Sequence, residues 1–186
     1  MTVLHADHAF LPGGWARDVR IALTDGAIAT VETVETGVAA QPGDARHAVM
    51  VPGLPNLHSH AFQHAMAGLA ERRGPGSDSF WSWREQMYRF ALTMTPDDVE
   101  AVAGALYCTM LEAGFTRVGE FHYLHHDRDG RPYADPAEMA ARIAAAAATT
   151  GIGLTLLPVF YAHAGFGAKP PAEGQRRFIS DLDLFA

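Results

Sequence analysis

The segment Val51-Pro52-Gly53-Leu54-Pro55-Asn56-Leu57-His58-Ser59-His60 carries two histidines separated by one residue. It reads as an extended strand, and side chains two apart on a strand leave the same face. Imidazoles so placed can share one cation, typically zinc. Two histidines do not choose among divalent metals, so iron or another ion fits the same pair. Alone, His-x-His is a weak pattern that surface residues often satisfy. Its context strengthens it. The strand is apolar, is entered through Pro-Gly, follows an N-terminal β segment and is followed by βα units. Parallel α/β folds place their chemistry at the C-terminal ends of strands.

Other polar residues have blander readings. Glu120 and His122 share one face of a second strand, which in a closed barrel could be the interior; a structural pair is favoured over a catalytic one. His125, His126 and Asp127 read as a solvated loop. His163 ends a third strand, where a pocket wall is one reading. Cys108 lies within a helix with no paired histidine motif and reads as buried packing. The aromatic cluster Phe80, Trp81, Trp83, Tyr88 and Phe90 reads as core or pocket wall.

The elements that must position these residues follow from periodicity and turn chemistry. Residues 1–50 read as short strands: Val3–Ala6, His8–Phe10, Val19–Leu23, Ile28–Val34 and His47–Val51, with a hairpin turn at Asp25-Gly26 and a polar linker over Ala39–Arg46. After Gly53 the period changes. Leu54–His60 is a strand, and Ala61–Arg72 and Phe80–Leu92 are helical. Thr95-Pro96-Asp97-Asp98 starts a helix with Thr as N-cap and Pro at N1; the helix runs to Ala113 and meets Gly114 at C′. Phe115–His122 is a strand. Asp135-Pro136-Ala137-Glu138 opens an Ala-rich helix, with Glu138 placed for a capping box, ending near Thr150-Gly151. Gly153–Tyr161 is a strand, and Gln175–Phe185 begins another helix. Strands separated by helices imply parallel pairing through right-handed crossovers. The fold class is therefore α/β, with a small β domain over 1–50 and a parallel βα array over 51–186.

The whole chain has 186 residues, of which 48% are apolar and 19% charged. That is a globular composition. No run reaches the roughly 18 apolar residues of a membrane helix. Met1 to Asp7 lacks a basic region followed by a long apolar one, so no secretory signal is expected. The single cysteine cannot form an internal disulfide, which fits a cytoplasmic location. Fourteen Lys and Arg against 21 Asp and Glu give a net charge of −7. A nucleic-acid partner is not expected, and neither is a membrane. A complete (β/α)8 barrel takes about 250 residues and rarely fewer than about 200, so only part of one is expected here.

The His58-Ser59-His60 strand end, preceded by a small β domain, resembles the amidohydrolase superfamily. Four motifs narrow the match: His58-Ser59-His60-Ala61-Phe62-Gln63, Phe80-Trp81-Ser82-Trp83-Arg84, Gly119-Glu120-Phe121-His122-Tyr123-Leu124-His125-His126 and Tyr161-Ala162-His163-Ala164-Gly165-Phe166. Together they resemble the formimidoylglutamate deiminase family, and the likeness runs to about Ile179. The resemblance implies a β-sandwich followed by a (β/α)8 barrel, of which the chain carries part of the sandwich and about three of eight strands. It implies zinc ligands at His58 and His60. It implies substrate contacts from Gln63, Arg84 and Tyr123 to the glutamate part of a small substrate bearing two carboxylates. A guanidinium fork at Arg84 suits a carboxylate, although stacking on the neighbouring aromatics is the other reading. An exposed first-turn residue is the lesser reading of Gln63, and Tyr123 could be strand-end packing.

The implied reaction is zinc-dependent hydrolysis of the formimidoyl carbon, giving formylglutamate and ammonia in histidine degradation. The family's remaining ligands, a histidine on the fifth strand and an aspartate on the eighth, have no match in this sequence. Neither do its proton-shuttling histidine and glutamate, so no catalytic residue is assigned. The chain is read as an N-terminal fragment, inactive by itself, poorly soluble and weak in zinc affinity. A homodimer is left open for the full-length parent. Two other readings stay open: a superfamily deaminase acting on a guanine- or cytosine-like ring, and a non-catalytic half-barrel that binds through its open edges.

Overall fold

Asp25 and Gly26 reverse the chain within two residues because both take positive φ, 51° and 77°. That is the conformation of a type I′ hairpin turn, whose twist matches the flanking strands. The computed structural model describes residues 1–33, 39–69 and 79–185. The turn joins β2 (Gly14–Thr24) to β3 (Ala27–Glu32). β1 (Thr2–Leu11) pairs antiparallel with β2, and β4 (Ala45–Met50) runs parallel along the other side of β1. The sheet order is β3-β2-β1-β4. The two short strands expected over 3–10 are thus one, β4 begins inside the expected linker, and Val34 lies outside the described residues. Ala6, Ala9, Val19 and Ile21 form a small core for this unit, which spans Met1–Gly53. Arg20 holds Asp44 through two hydrogen bonds of 2.9 and 3.2 Å, pinning the approach to β4.

The second unit, Leu54–Ala186, contains a parallel sheet. β5 (Leu54–Ser59), β6 (Phe115–His122) and β7 (Gly153–Pro158) pair in the order β5-β6-β7. Parallel neighbours need long crossovers, and helices supply them. Those helices are α1 (Phe80–Thr93), α2 (Pro96–Glu112) and α3 (Glu138–Thr150). Val99, Ala103, Tyr107 and Met110 recur on one face of α2, and Met139, Ile143, Ala146 and Ala147 on one face of α3. Both faces bury in the one main core that also holds Val118 of β6. Gly114 and Gly151 close α2 and α3 at φ 89° and 80°, a left-handed conformation that glycine adopts without strain.

Several expectations needed correction. The helix expected over Ala61–Arg72 is a 3₁₀ segment, Ala61–Met66, broken at Gly68, whose φ is 78°; residues 70–72 lie outside the described set. The helix expected over Gln175–Phe185 is a 3₁₀ turn (Glu173–Gln175) and a short α4 (Leu182–Phe185). Between them the backbone is committed elsewhere: the Arg177 carbonyl accepts from His125 and His126 N–H, and Ser180 N–H bonds the Tyr161 carbonyl. The third strand stops at Pro158 rather than Tyr161. Glu138 makes no capping box. Asp135 Oδ1 takes the Ala137 N–H, and Glu138 bonds Arg142 one turn on. Cys108 is exposed, because it sits about 100° around α2 from buried Tyr107.

Thr95 and Asp98 form a reciprocal cap on α2. Thr95 Oγ1 accepts the Asp98 N–H at 3.2 Å, and Asp98 Oδ2 accepts the Thr95 N–H at 2.8 Å. Thr95→Ala should lower stability in urea by about 1 kcal/mol. The Thr95 N–H first, and then the Thr95 hydroxyl, which donates to Asp98 Oδ2 at 2.7 Å, hold the Asp98 carboxyl below the ordinary aspartate range. A lowered folded-state value stabilises above the unfolded aspartate's pKa and is lost as pH falls through the folded one. The gap between wild type and Thr95→Ala should therefore narrow on acidification below the ordinary aspartate range.

A candidate active site at the ends of three parallel strands

β5 delivers its two histidines at the C-terminal edge of the sheet. The His58 and His60 rings stand 5.0 Å apart at 83°. The Asn56 side-chain oxygen accepts the His58 backbone N–H at 3.0 Å, which shapes the strand end locally. His60 Nδ1 lies 3.1 Å from the Phe121 carbonyl oxygen. A carbonyl only accepts, so Nδ1 carries the hydrogen and Nε2 keeps its lone pair. Metal-binding histidines are oriented by this kind of contact. The donor chemistry therefore fits zinc at this pair. Among the described residues, no three His, Cys, Asp or Glu side chains cluster closely enough to hold a metal by themselves. A catalytic zinc takes three protein ligands and water, so His58 and His60 could be two of the three.

Glu120, on the neighbouring strand, holds the turn that follows His60. Its Oε1 accepts the Ala61 N–H at 2.5 Å, and Tyr107 Oη donates to its Oε2 at 3.3 Å. Glu120 and Tyr107 are both buried. Burial first, and then the Glu120 charge, push the Tyr107 hydroxyl far above the ordinary tyrosine range, so it stays a neutral donor. Glu120 and His122 do share a face, but it is the face covered with Val118 by the helical layer, not an open one. They are not bonded to each other. Burial, with a smaller contribution from His125, depresses His122 to about 3, so it is neutral, and its Nε2 has no partner among the described residues.

Gln63, Arg84 and Tyr123, which are distant in sequence, line one cavity of about 540 Å³ together with His58 and His60. Gln63 Nε2 donates to Tyr123 Oη at 2.6 Å. Tyr123 is buried, and its hydroxyl is pushed above the ordinary range by burial, with the Gln63 bond opposing. The Arg84 guanidinium lies 4.4 Å from the Trp81 ring and 5.6 Å from Tyr88. Among the described residues it has no carboxylate partner. The stacked and carboxylate-binding readings are compatible, because stacking leaves the planar edge free to donate. His64 lines an adjoining cavity of about 400 Å³ with Asn56 and Met110.

His163 is exposed and does not line the cavity. His125 and His126 are not a solvated loop. Their rings reach the Val159 and Ile179 carbonyls at 2.9 and 2.5 Å. Sequence reading gave no role to Gln175, Arg177 or Phe178, nor to Tyr161, although Tyr161 opens one of the four motifs. Phe178 is the aromatic floor under Tyr88, Tyr123 and Tyr161, with ring centroids at 6.0, 4.9 and 5.9 Å. Arg177 is fully buried. It donates to the Ala91 and Met94 carbonyls near the end of α1, to the His126 carbonyl and to Tyr133 Oη. No local pattern distinguishes such an arginine from a surface one.

Glu120→Ala leaves the Ala61 N–H and the Tyr107 hydroxyl without their acceptor. Stability measured by urea denaturation should fall by roughly 1–3 kcal/mol, and Tyr107→Phe, which removes only one partner, by less.

Residues 1–48 match the N-terminal domain of formimidoylglutamate deiminase HutF, and residues 49–180 match the amidohydrolase family. The chain is 53% identical over 186 residues to formimidoylglutamate deiminase of Pseudomonas aeruginosa, spanning 40% of that protein's length. It is 66% identical to an amidohydrolase of Brucella melitensis, with a TM-score of 0.93, covering 100% of this chain and 41% of that one. Atrazine chlorohydrolase TrzN of Arthrobacter aurescens, solved in complex with zinc, shares the fold at 17% identity and a TM-score of 0.60, over 92% of this chain and 40% of that one. With its parallel strands, its His-x-His strand end and a family match over most of its length, the chain belongs to the amidohydrolase family.

Proposed function

We propose that this chain is the metal- and glutamate-binding N-terminal part of a zinc-dependent formimidoylglutamate deiminase acting in the cytoplasm. The reaction is hydrolysis of N-formimidoyl-L-glutamate to N-formyl-L-glutamate and ammonia, a step of histidine degradation. The observation that carries the reading is the convergence of His58, His60, Gln63, Arg84 and Tyr123 on one cavity. The likeness to the Pseudomonas aeruginosa deiminase along the whole chain supports it.

His58 and His60 would hold zinc, with its remaining ligands coming from outside the described residues. Zinc, when bound, supplies Lewis acidity that makes water nucleophilic near neutral pH. Arg84 presents a fork of donors to a substrate carboxylate. Tyr123 stays neutral and accepts from Gln63, so its own O–H is available to a second oxygen acceptor. Gln63 follows His60 within one turn of the chain and bridges the metal end of the cavity to the tyrosine end. The formimidoyl group then faces the histidines while the carboxylates face Arg84 and Tyr123.

The gene product carrying this chain should release ammonia from N-formimidoyl-L-glutamate with equimolar formylglutamate. Ammonia from guanine or cytosine instead would move the reading to a ring deaminase. Arg84→Met should lower kcat/KM for formimidoylglutamate by roughly 10–100-fold, the worth of a hydrogen bond to a charged group, while leaving a neutral ring substrate unaffected. His58→Ala should take zinc, measured by elemental analysis, from about one per chain towards none.

A further inference from the structure

We propose that Tyr161, oriented by Gln175, is a further substrate-binding residue whose hydroxyl donates to a carboxylate of the bound ligand. The inference rests on the deiminase reading only for which carboxylate-bearing molecule is the natural ligand. Tyr161 follows β7 and lines the same cavity as His58, His60, Arg84 and Tyr123.

Gln175 Oε1 accepts the Ala172 backbone N–H at 2.8 Å. A backbone N–H can only donate, so the carbonyl end of this amide is placed there and the NH₂ end must face the other way. That end reaches Tyr161 Oη at 2.7 Å. The phenol oxygen is therefore the acceptor, and the Tyr161 hydrogen still needs an acceptor of its own. Among the described residues none takes it. Tyr123 stands in the same relation to Gln63, so two tyrosines in one cavity each accept from a glutamine and keep a free O–H.

The arrangement is held rigidly. Gln175 is 2% exposed. Gly174 beside it is needed for close approach: a Cβ there would lie 2.7 Å from the Tyr88 ring. Tyr88, Tyr123 and Tyr161 all pack on Phe178. The described lining contains no Asp or Glu. A cavity with one unpaired guanidinium, two free phenol O–H groups and no acid suits an anion. Arg84 alone can serve one carboxylate bidentately, and a ligand with two carboxylates needs further donors.

The test is Tyr161→Phe in the gene product carrying this chain, which removes the hydroxyl and keeps the ring on Phe178. Affinity for glutarate, a dicarboxylate with no reacting group, is measured by calorimetry beside wild type. Binding should weaken by roughly 10–100-fold, with the melting temperature unchanged. In turnover of formimidoylglutamate the loss should fall on KM, with kcat within about twofold. Gln175→Met, which frees the hydroxyl to swing, should weaken glutarate in the same direction by a smaller factor. Equal glutarate affinity in wild type and Tyr161→Phe overturns the inference. So does an absence of glutarate binding to wild type, or a loss confined to kcat and thermal stability. Glutarate binding with the expected loss, but no turnover of formimidoylglutamate by wild type, would uphold the Tyr161 assignment and remove the deiminase reading.

Discussion

The Glu120 carboxylate, buried between β6 and α2, decides how the chain leaves β5. The Ala61 N–H comes straight after the His58/His60 pair and would otherwise be an orphan donor at the start of a 3₁₀ segment. A buried backbone donor must find an acceptor, and a carboxylate is the strongest one available. By taking it, Glu120 fixes the exit direction of the strand, and with it the place of Gln63 two residues after Ala61. The next residue of β6, Phe121, offers its carbonyl to the His60 ring. Two consecutive residues of one strand thus set both the backbone and the tautomer of the neighbouring strand's histidine. The arrangement needs β5 and β6 to be parallel and in register, with Ser59 opposite Glu120.

A second constraint shapes the far side of the cavity. Arg177 has no carboxylate partner among the described residues, yet it is fully buried. Its guanidinium is satisfied by carbonyls near the end of α1 and by the His126 carbonyl, and burial lowers its pKa from the ordinary arginine value. Carbonyls near a helix C-terminus are left without intrahelical donors, so a cation there answers both needs. This knot holds α1, the loop after β6 and the segment around Phe178 together. Phe178 then becomes the common floor for the three tyrosines, and α1 presents Arg84 above it.

Much of the framework was legible in the residues. Thr95-Pro96 and Gly114 bound α2, Asp25-Gly26 makes the hairpin, and strands alternating with helices run parallel, because caps, turns and periodicity are local chemistry. The place of the His-x-His pair at a strand end was legible for the same reason. Family likeness, rather than spacing, pointed to Gln63, Arg84 and Tyr123. The failures share a cause as well. Residues 175–185 have helical composition, but their backbone groups bond to His125, His126 and Tyr161, far away in sequence. Propensity is worth tenths of a kcal/mol per residue and yields to such contacts. Glu138 chose Arg142 over a cap, and Cys108 turned outward by its angle on the helix.

The sequence by itself determined the element order, the α/β class and which strand end carries the histidines. These depend on near neighbours along the chain. Only the tertiary structure decided that Glu120 anchors the turn after His60, that Arg177 is buried, and that Tyr161 joins the cavity with Gln175 hydrogen-bonded to it. Each of those depends on partners separated by more than ten residues, so no window of sequence contains both halves. It also brought the Gln175 amide to Tyr161, fourteen residues away, whereas the direction of that hydrogen bond is set locally by the Ala172 N–H.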